Sequence, residues 1–177
     1  SEILEEINAN KQGIISVLKS KKIPLSFAQE RLWFIDQYDH NSSYNIVQAI
    51  KLKGRLDTGV LEKTFSEIVR RHEVLRTNFV TIDGAPWQYV HEESKLELET
   101  VDLSHLPQGG ADRKIRQLIE FGSRKPFDLE NDSLIRLVLY KVGDEDHTLF
   151  LNQHHIVSDG WSFSVLFKEV STLYEAY

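Results

Sequence analysis

The densest concentration of side chains able to do chemistry is Gln153-His154-His155-Ile156-Val157-Ser158-Asp159-Gly160-Trp161-Ser162. Two adjacent imidazoles, a carboxylate four residues after the second and a glycine beside it stand between apolar runs. An unshifted imidazole titrates near neutrality and can take up a proton at physiological pH. Neighbouring side chains on extended backbone point to opposite faces, so the pair reads as one working imidazole and one supporting one. Asp159 can orient a ring or pair with an arginine, and Gly160 lets a ligand or another chain come close to the backbone. Single histidines in a globular domain are mostly structural; it is the clustering at a strand end that favours chemistry here. Zinc is the competing use of His and Asp. Extended backbone splits this pair, no histidine stands at helical i, i+4 spacing here, and the chain has no cysteine. A metal site is not expected.

These residues need elements to hold them. His147 to Asn152 alternates like a strand, and Ser162 to Tyr177 puts Phe163, Leu166, Val170, Leu173 and Tyr174 on one helical side. Upstream, residues 2 to 19 have helix periodicity (Leu4, Ile7, Ile14, Leu18), and residues 1–22 read as a linker or docking-type helix ending before Pro24. Ser26 can cap a helix from Phe27 to about Tyr38, with Phe27, Leu32, Phe34 and Ile35 on its apolar face. A strand over Tyr44 to Lys53 precedes a strong helix opened by Asp57 or Thr58 and running to about Glu73. Leu75 to Ile82 and Pro86 to His91 read as a hairpin about Asp83-Gly84, and Leu96 to Val101 as a third short strand. A helix from Ala111 to about Arg124 and a strand over Leu134 to Val142 complete the set. Helices and strands mix without a strict βαβ rhythm. This pattern predicts an α+β fold with a mixed, largely antiparallel sheet flanked by helices.

The 177 residues suffice for one domain or one lobe of a larger one, and the 41% hydrophobic and 27% charged content is that of a soluble globular protein. No apolar run approaches the roughly 20 residues of a membrane span. A net charge of −6, without a basic stripe, argues against nucleic acid as a partner. The absence of cysteine makes the cytoplasm the expected compartment. The chain begins with Ser and contains no Met, so it is expected to come from something longer.

Three segments, in order, resemble the core motifs of the condensation domains of non-ribosomal peptide synthetases. They are Ser26-Phe27-Ala28-Gln29-Glu30-Arg31-Leu32-Trp33, Arg71-His72-Glu73-Val74-Leu75-Arg76-Thr77-Asn78-Phe79, and His154-His155-Ile156-Val157-Ser158-Asp159-Gly160-Trp161-Ser162. The resemblance implies a chloramphenicol-acetyltransferase-like fold of two lobes, residues 23–177 forming the N-terminal one, with the C-terminal lobe lying beyond this chain. It also implies a reaction: the amine of an acceptor aminoacyl group attacks a donor acyl or peptidyl thioester, each carried by 4'-phosphopantetheine on a partner carrier protein. The lobe itself would bind no cofactor.

Within that resemblance His155 matches the key histidine, as general base or as the group that positions the amine. His154 and Gly160 stand beside it at the reacting centre. Asp159 matches a structural residue ion-paired with an arginine of the second motif, first Arg76 and then Arg71. Two rival readings are a non-catalytic module that docks carriers or domains, and acyl transfer to a small free acceptor.

Overall fold

The computed structural model describes residues 23–93 and 96–177; the helix expected over residues 2 to 19 lies outside them. Helix α1, Phe27–Tyr38, begins where the Ser26 hydroxyl accepts from the Gln29 backbone N–H (3.3 Å) and the Gln29 side chain accepts from the Ser26 N–H (2.9 Å). That reciprocal pair is a capping box. Strand β1, Asn45–Lys53, leads to α2, Thr58–Arg71, whose cap Asp57 accepts from the Val60 N–H at 3.0 Å. A 3₁₀ turn over Glu73–Arg76 takes the place of the first two residues expected of the next strand. The hairpin is then β2, Thr77–Ile82, and β3, Ala85–Val90. Asp83 and Gly84 turn it with φ of 55° and 80°, the positive values a two-residue primed turn requires. Strand β4 (Leu98–Asp102), helix α3 (Gln108–Ser123), strands β5 (Ile135–Gly143) and β6 (Asp146–His154) and helix α4 (Gly160–Ala176) follow.

The main sheet has the order β1-β6-β5-β4. Strand β6 is antiparallel to both β1 and β5, whereas β4 runs parallel to β5. The third short strand therefore leaves the hairpin beside it in sequence, and joins the sheet through a β4–α3–β5 crossover, the connection that parallel pairing demands. The sheet is mixed and largely antiparallel, as the pattern predicts.

Strand alternation sorts the core into layers. Leu137, Leu139, Leu149 and Leu151 face α2 and α4, packing with Leu61, Phe65, Ile68, Phe163 and Leu166. Tyr140 and Phe150 face α3, packing with Ala111 and Ile115. The layer of α2 and α4 rests on Phe65, fully buried; truncating such a ring to alanine costs roughly 3–5 kcal/mol.

A third cluster closes the end of the sheet where β6 finishes. Leu25 and Leu32 from the α1 region, Phe79 of the hairpin, Phe127, Leu129 and Leu134 before β5, and Ile156 and Val157 after β6 pack together. Asn78 fastens the hairpin there, donating to the carbonyls of Leu129 (3.1 Å) and Asp132 (2.8 Å), while its Oδ1 meets His91 Nε2 at 2.6 Å.

Helix α1 departs from its expected orientation. It buries Leu32 and Asp36, one turn apart, and leaves Phe27 (93% exposed), Phe34 (68%) and Tyr38 (90%) facing outwards. Only a narrow stripe of α1 meets the end cluster, so aromatics beside that stripe stay in solvent. Burial raises the pKa of Asp36, and His40 one turn on, 3.4 Å away, opposes the shift.

Candidate functional site

Strand β6 carries the histidine pair to the end of the sheet and then turns over residues 155–157 before α4 begins. His154 is the last residue of β6, paired in register with Asn45, and only 1% exposed. Its backbone N–H donates to Leu134 O at 3.1 Å. Its ring lies edge-on to Phe127 (centroids 6.1 Å apart) and tilted against Tyr44 (6.4 Å). Its Nδ1 accepts from the Ile156 N–H at 3.1 Å.

Burial, followed by the neighbouring charges of His155 and His40, holds the His154 pKa down to about 4. A neutral ring accepting at Nδ1 carries its proton on Nε2. His154 is thus a fixed, neutral prop inside the turn.

His155 is the opposite. The strand has ended, its ring is exposed, and its backbone N–H donates to Tyr44 O at 2.8 Å. The backbone is held on the sheet while the imidazole reaches solvent. Adjacent positions therefore divide into an interior and an exterior imidazole because the strand ends between them: β6 is buried at every residue from His147 to His154, and His155 is exposed in the turn that follows.

Asp159 is placed differently from the expectation. It is exposed and caps α4, its Oδ1 accepting from the Ser162 N–H (2.8 Å) and the Ser162 hydroxyl (2.7 Å). Those two bonds come first among the causes that hold its pKa below the usual carboxylate range. Among the described residues neither arginine reaches it. Arg76 donates to His91 O and to Glu73 (3.2 Å), and Arg71 donates to Glu67 (2.7 Å). The expected ion pair is replaced by local bonds: a serine three residues on offers Asp159 both donors at a helix start, the geometry a cap prefers. Gly160 opens α4, and a β-carbon there would meet nothing within 4 Å. The chain's own packing leaves that backbone approachable.

Two contributions at this end of the sheet were missed in the sequence. Gln29 Nε2 donates to Ile156 O at a long 3.5 Å, tying the first turn of α1 to the histidine turn. Gln153, one residue before the pair, is 1% exposed, and its Oε1 is buried with no hydrogen-bond partner among the described residues. It borders a pocket of ≈ 160 Å³ between the C-terminal end of α2 and the start of α4. A polar residue in line with Leu149 and Leu151 on the α2/α4 face was the available signal. Among the described residues no cluster of His, Cys, Asp and Glu could hold a metal ion, and no helix is long and apolar enough to cross a membrane.

A strand thus delivers two histidines to a turn ahead of a capped helix, on a mixed sheet layered by helices. Residues 19–177 match the condensation domain family, and the chain belongs to that family. It is 40% identical over 164 residues to a linear gramicidin synthase of Brevibacillus parabrevis, covering 92% of this chain and 2% of that one. It is 39% identical over 158 residues to bacitracin synthase 2 of Bacillus licheniformis, covering 89% of this chain and 6% of that one. Among solved structures, the starter condensation domain of rhizomide synthetase superposes with a TM-score of 0.80 at 23% identity, over 88% of this chain and 38% of that one. The first condensation domain of the CDA synthetase gives 0.79 at 24%, over 89% and 41%. The chain thus spans well under half the length of these solved domains and a few per cent of the synthases.

Proposed function

We propose that this chain is the N-terminal lobe of a condensation domain that forms an amide between a carrier-bound acyl or peptidyl thioester and the amine of a carrier-bound aminoacyl group. The observation that carries this reading is the division of labour in the pair, with His154 buried and neutral and His155 exposed at the tip of β6. An α-ammonium is not nucleophilic until it loses a proton, and the exposed His155 imidazole accepts it or holds the amine by a hydrogen bond. The amine nitrogen then attacks the thioester carbonyl carbon. The tetrahedral intermediate collapses as the C–S bond breaks, and the thiol leaves on its phosphopantetheine arm.

A thioester is already activated, so holding the two reactants together supplies much of the acceleration. His154 contributes by fixing the turn. The open backbone at Gly160 leaves room for the thioester. The parent synthetase works in the cytoplasm, with donor and acceptor carrier proteins as partners and the phosphopantetheine on those carriers.

The test joins this lobe to its C-terminal partner and supplies loaded carriers. His155→Ala should abolish amide formation while circular dichroism stays unchanged; undiminished turnover would reject the assignment. The exposed aromatics Phe27, Phe34 and Tyr38 on α1 favour a second reading, a non-catalytic docking lobe. Carrier binding that survives in a variant without turnover, and is lost when these aromatics become serine, would favour it.

A further inference from the structure

We infer that Gln29 is a positioning residue for His155, acting through the turn that carries the imidazole. The inference rests on the condensation reading above. Three backbone donors tie the turn to β6 and to the residue ahead of β1. The His155 N–H donates to Tyr44 O (2.8 Å), the Ile156 N–H to His154 Nδ1 (3.1 Å) and the Val157 N–H to His154 O (3.1 Å). None of these reaches α1. Gln29 Nε2 does, donating from the first turn of α1 to Ile156 O, one residue past the ring and 127 residues away in sequence. Packing joins the same two segments: Ile156 and Val157 are buried with Leu25 and Leu32 of the α1 region. His155 stands exposed while the two residues after it are anchored.

The amide suits this task because both of its ends are used. Its Oε1 accepts from the Ser26 N–H at 2.9 Å as half of the capping box, which fixes the end that is oxygen and leaves the NH₂ end for the turn. Glu or Gln serves a capping box at this position, but only Gln has a donor left over for Ile156 O. A carboxylate there would set one acceptor against another. The 3.5 Å separation makes the bond a small contributor to folding stability. Its weight is geometric. A misplacement of about 1 Å at a reacting centre can cost on the order of 100-fold in rate, and Gln29 holds the residue covalently next to the imidazole. The first core motif thereby acquires a task at the reacting centre: Ser26 and Gln29 start α1, and the same Gln29 amide steadies the histidine turn.

The test uses the two-lobe protein with loaded carriers. Gln29→Glu keeps the capping box and removes the donor. It should melt close to the wild type while kcat for amide formation falls on the order of tenfold and KM for either carrier moves less than about twofold. Gln29→Met adds no charge and also lacks the donor; the same loss of kcat there assigns the effect to the missing donor and not to a new charge. Ser26→Ala weakens the start of α1 but leaves the backbone N–H that orients the Gln29 amide. It should lower the melting temperature and leave kcat unchanged, and it is the stability-matched control should either Gln29 variant melt low. In protein labelled with ¹³C,¹⁵N-histidine, the His155 ring resonances should shift or broaden in both Gln29 variants and not in Ser26→Ala. A wild-type kcat or unmoved His155 resonances in the Gln29 variants, or an equal loss of kcat in Ser26→Ala, would overturn the positioning role. His155→Ala judges the condensation reading separately: turnover that survives there counts against that reading, whereas the histidine resonances still decide whether Gln29 sets the ring.

Discussion

His154 should make the lobe acid-sensitive in a way a single substitution removes. Its folded pKa is about 4 against 6.5 for a free imidazole, chiefly because burial penalises the charged form. Between these values the unfolded chain binds a proton that the folded chain refuses. The stabilisation is therefore present above pH 6.5 and is lost as pH falls towards 4. Linkage over that gap predicts a loss of about 2 kcal/mol between pH 7 and pH 5 from this ring alone, rising to roughly 3 kcal/mol near pH 4.

Urea denaturation at pH 7, 6 and 5 measures it directly. His154→Asn is the comparison, since its Oδ1 can accept from the Ile156 N–H in place of Nδ1 but does not titrate. The variant should lose markedly less stability on acidification; what remains belongs to other groups, among them His147, whose pKa burial also lowers. Parallel pH dependences in the two proteins, or an NMR titration of the His154 ring with a midpoint near 6.5, would refute the buried neutral prop.

Four further outcomes follow from the geometry. Asn78→Ala removes the donor to two carbonyls and the acceptor facing His91, and should destabilise the lobe by about 1–3 kcal/mol in chemical denaturation. Asp159→Asn should keep the cap and melt close to the wild type, whereas Asp159→Ala should melt lower. A double-mutant cycle between Asp159 and Arg76 should show no coupling, because Arg76 is engaged with His91 and Glu73. Phe65→Ala, at a fully buried ring, should cost roughly 3–5 kcal/mol and be visible as a large drop in melting temperature.

Much of the architecture was legible because it is written in local chemistry. Ser26 with Gln29, Asp57 ahead of Val60, and Asp83-Gly84 specify two helix starts and a hairpin through bonds spanning a few residues. The split between the two histidines, expected from alternation, arises instead because β6 ends at His154 and His155 falls in the turn. What escapes the sequence depends on partners far along the chain. Strand β4 looks like a continuation of the hairpin until α3 carries the chain across to β5. The outward face of α1 cannot be read from hydrophobicity, since its aromatics face solvent while an aspartate is buried beside a histidine. Asp159 suggests a distant arginine although a closer serine offers two donors. Gln153 gives no motif signal; only the faces of β6 reveal that a polar group stands in a row of leucines.

The central position of β6 makes the identity of the reactive ring a matter of counting. Hydrogen bonds from β1 on one edge and β5 on the other clamp its frame, with Asn45 opposite His154 and Ile135 opposite Gln153. The two histidines are chemically the same, and nothing but this frame assigns one to solvent. A single residue inserted between Asp146 and Asn152 would carry His154 out into the turn, and a deletion would draw His155 back into the buried end of the strand. Such a chain would keep every letter of its histidine signature and lose the arrangement that gives it meaning.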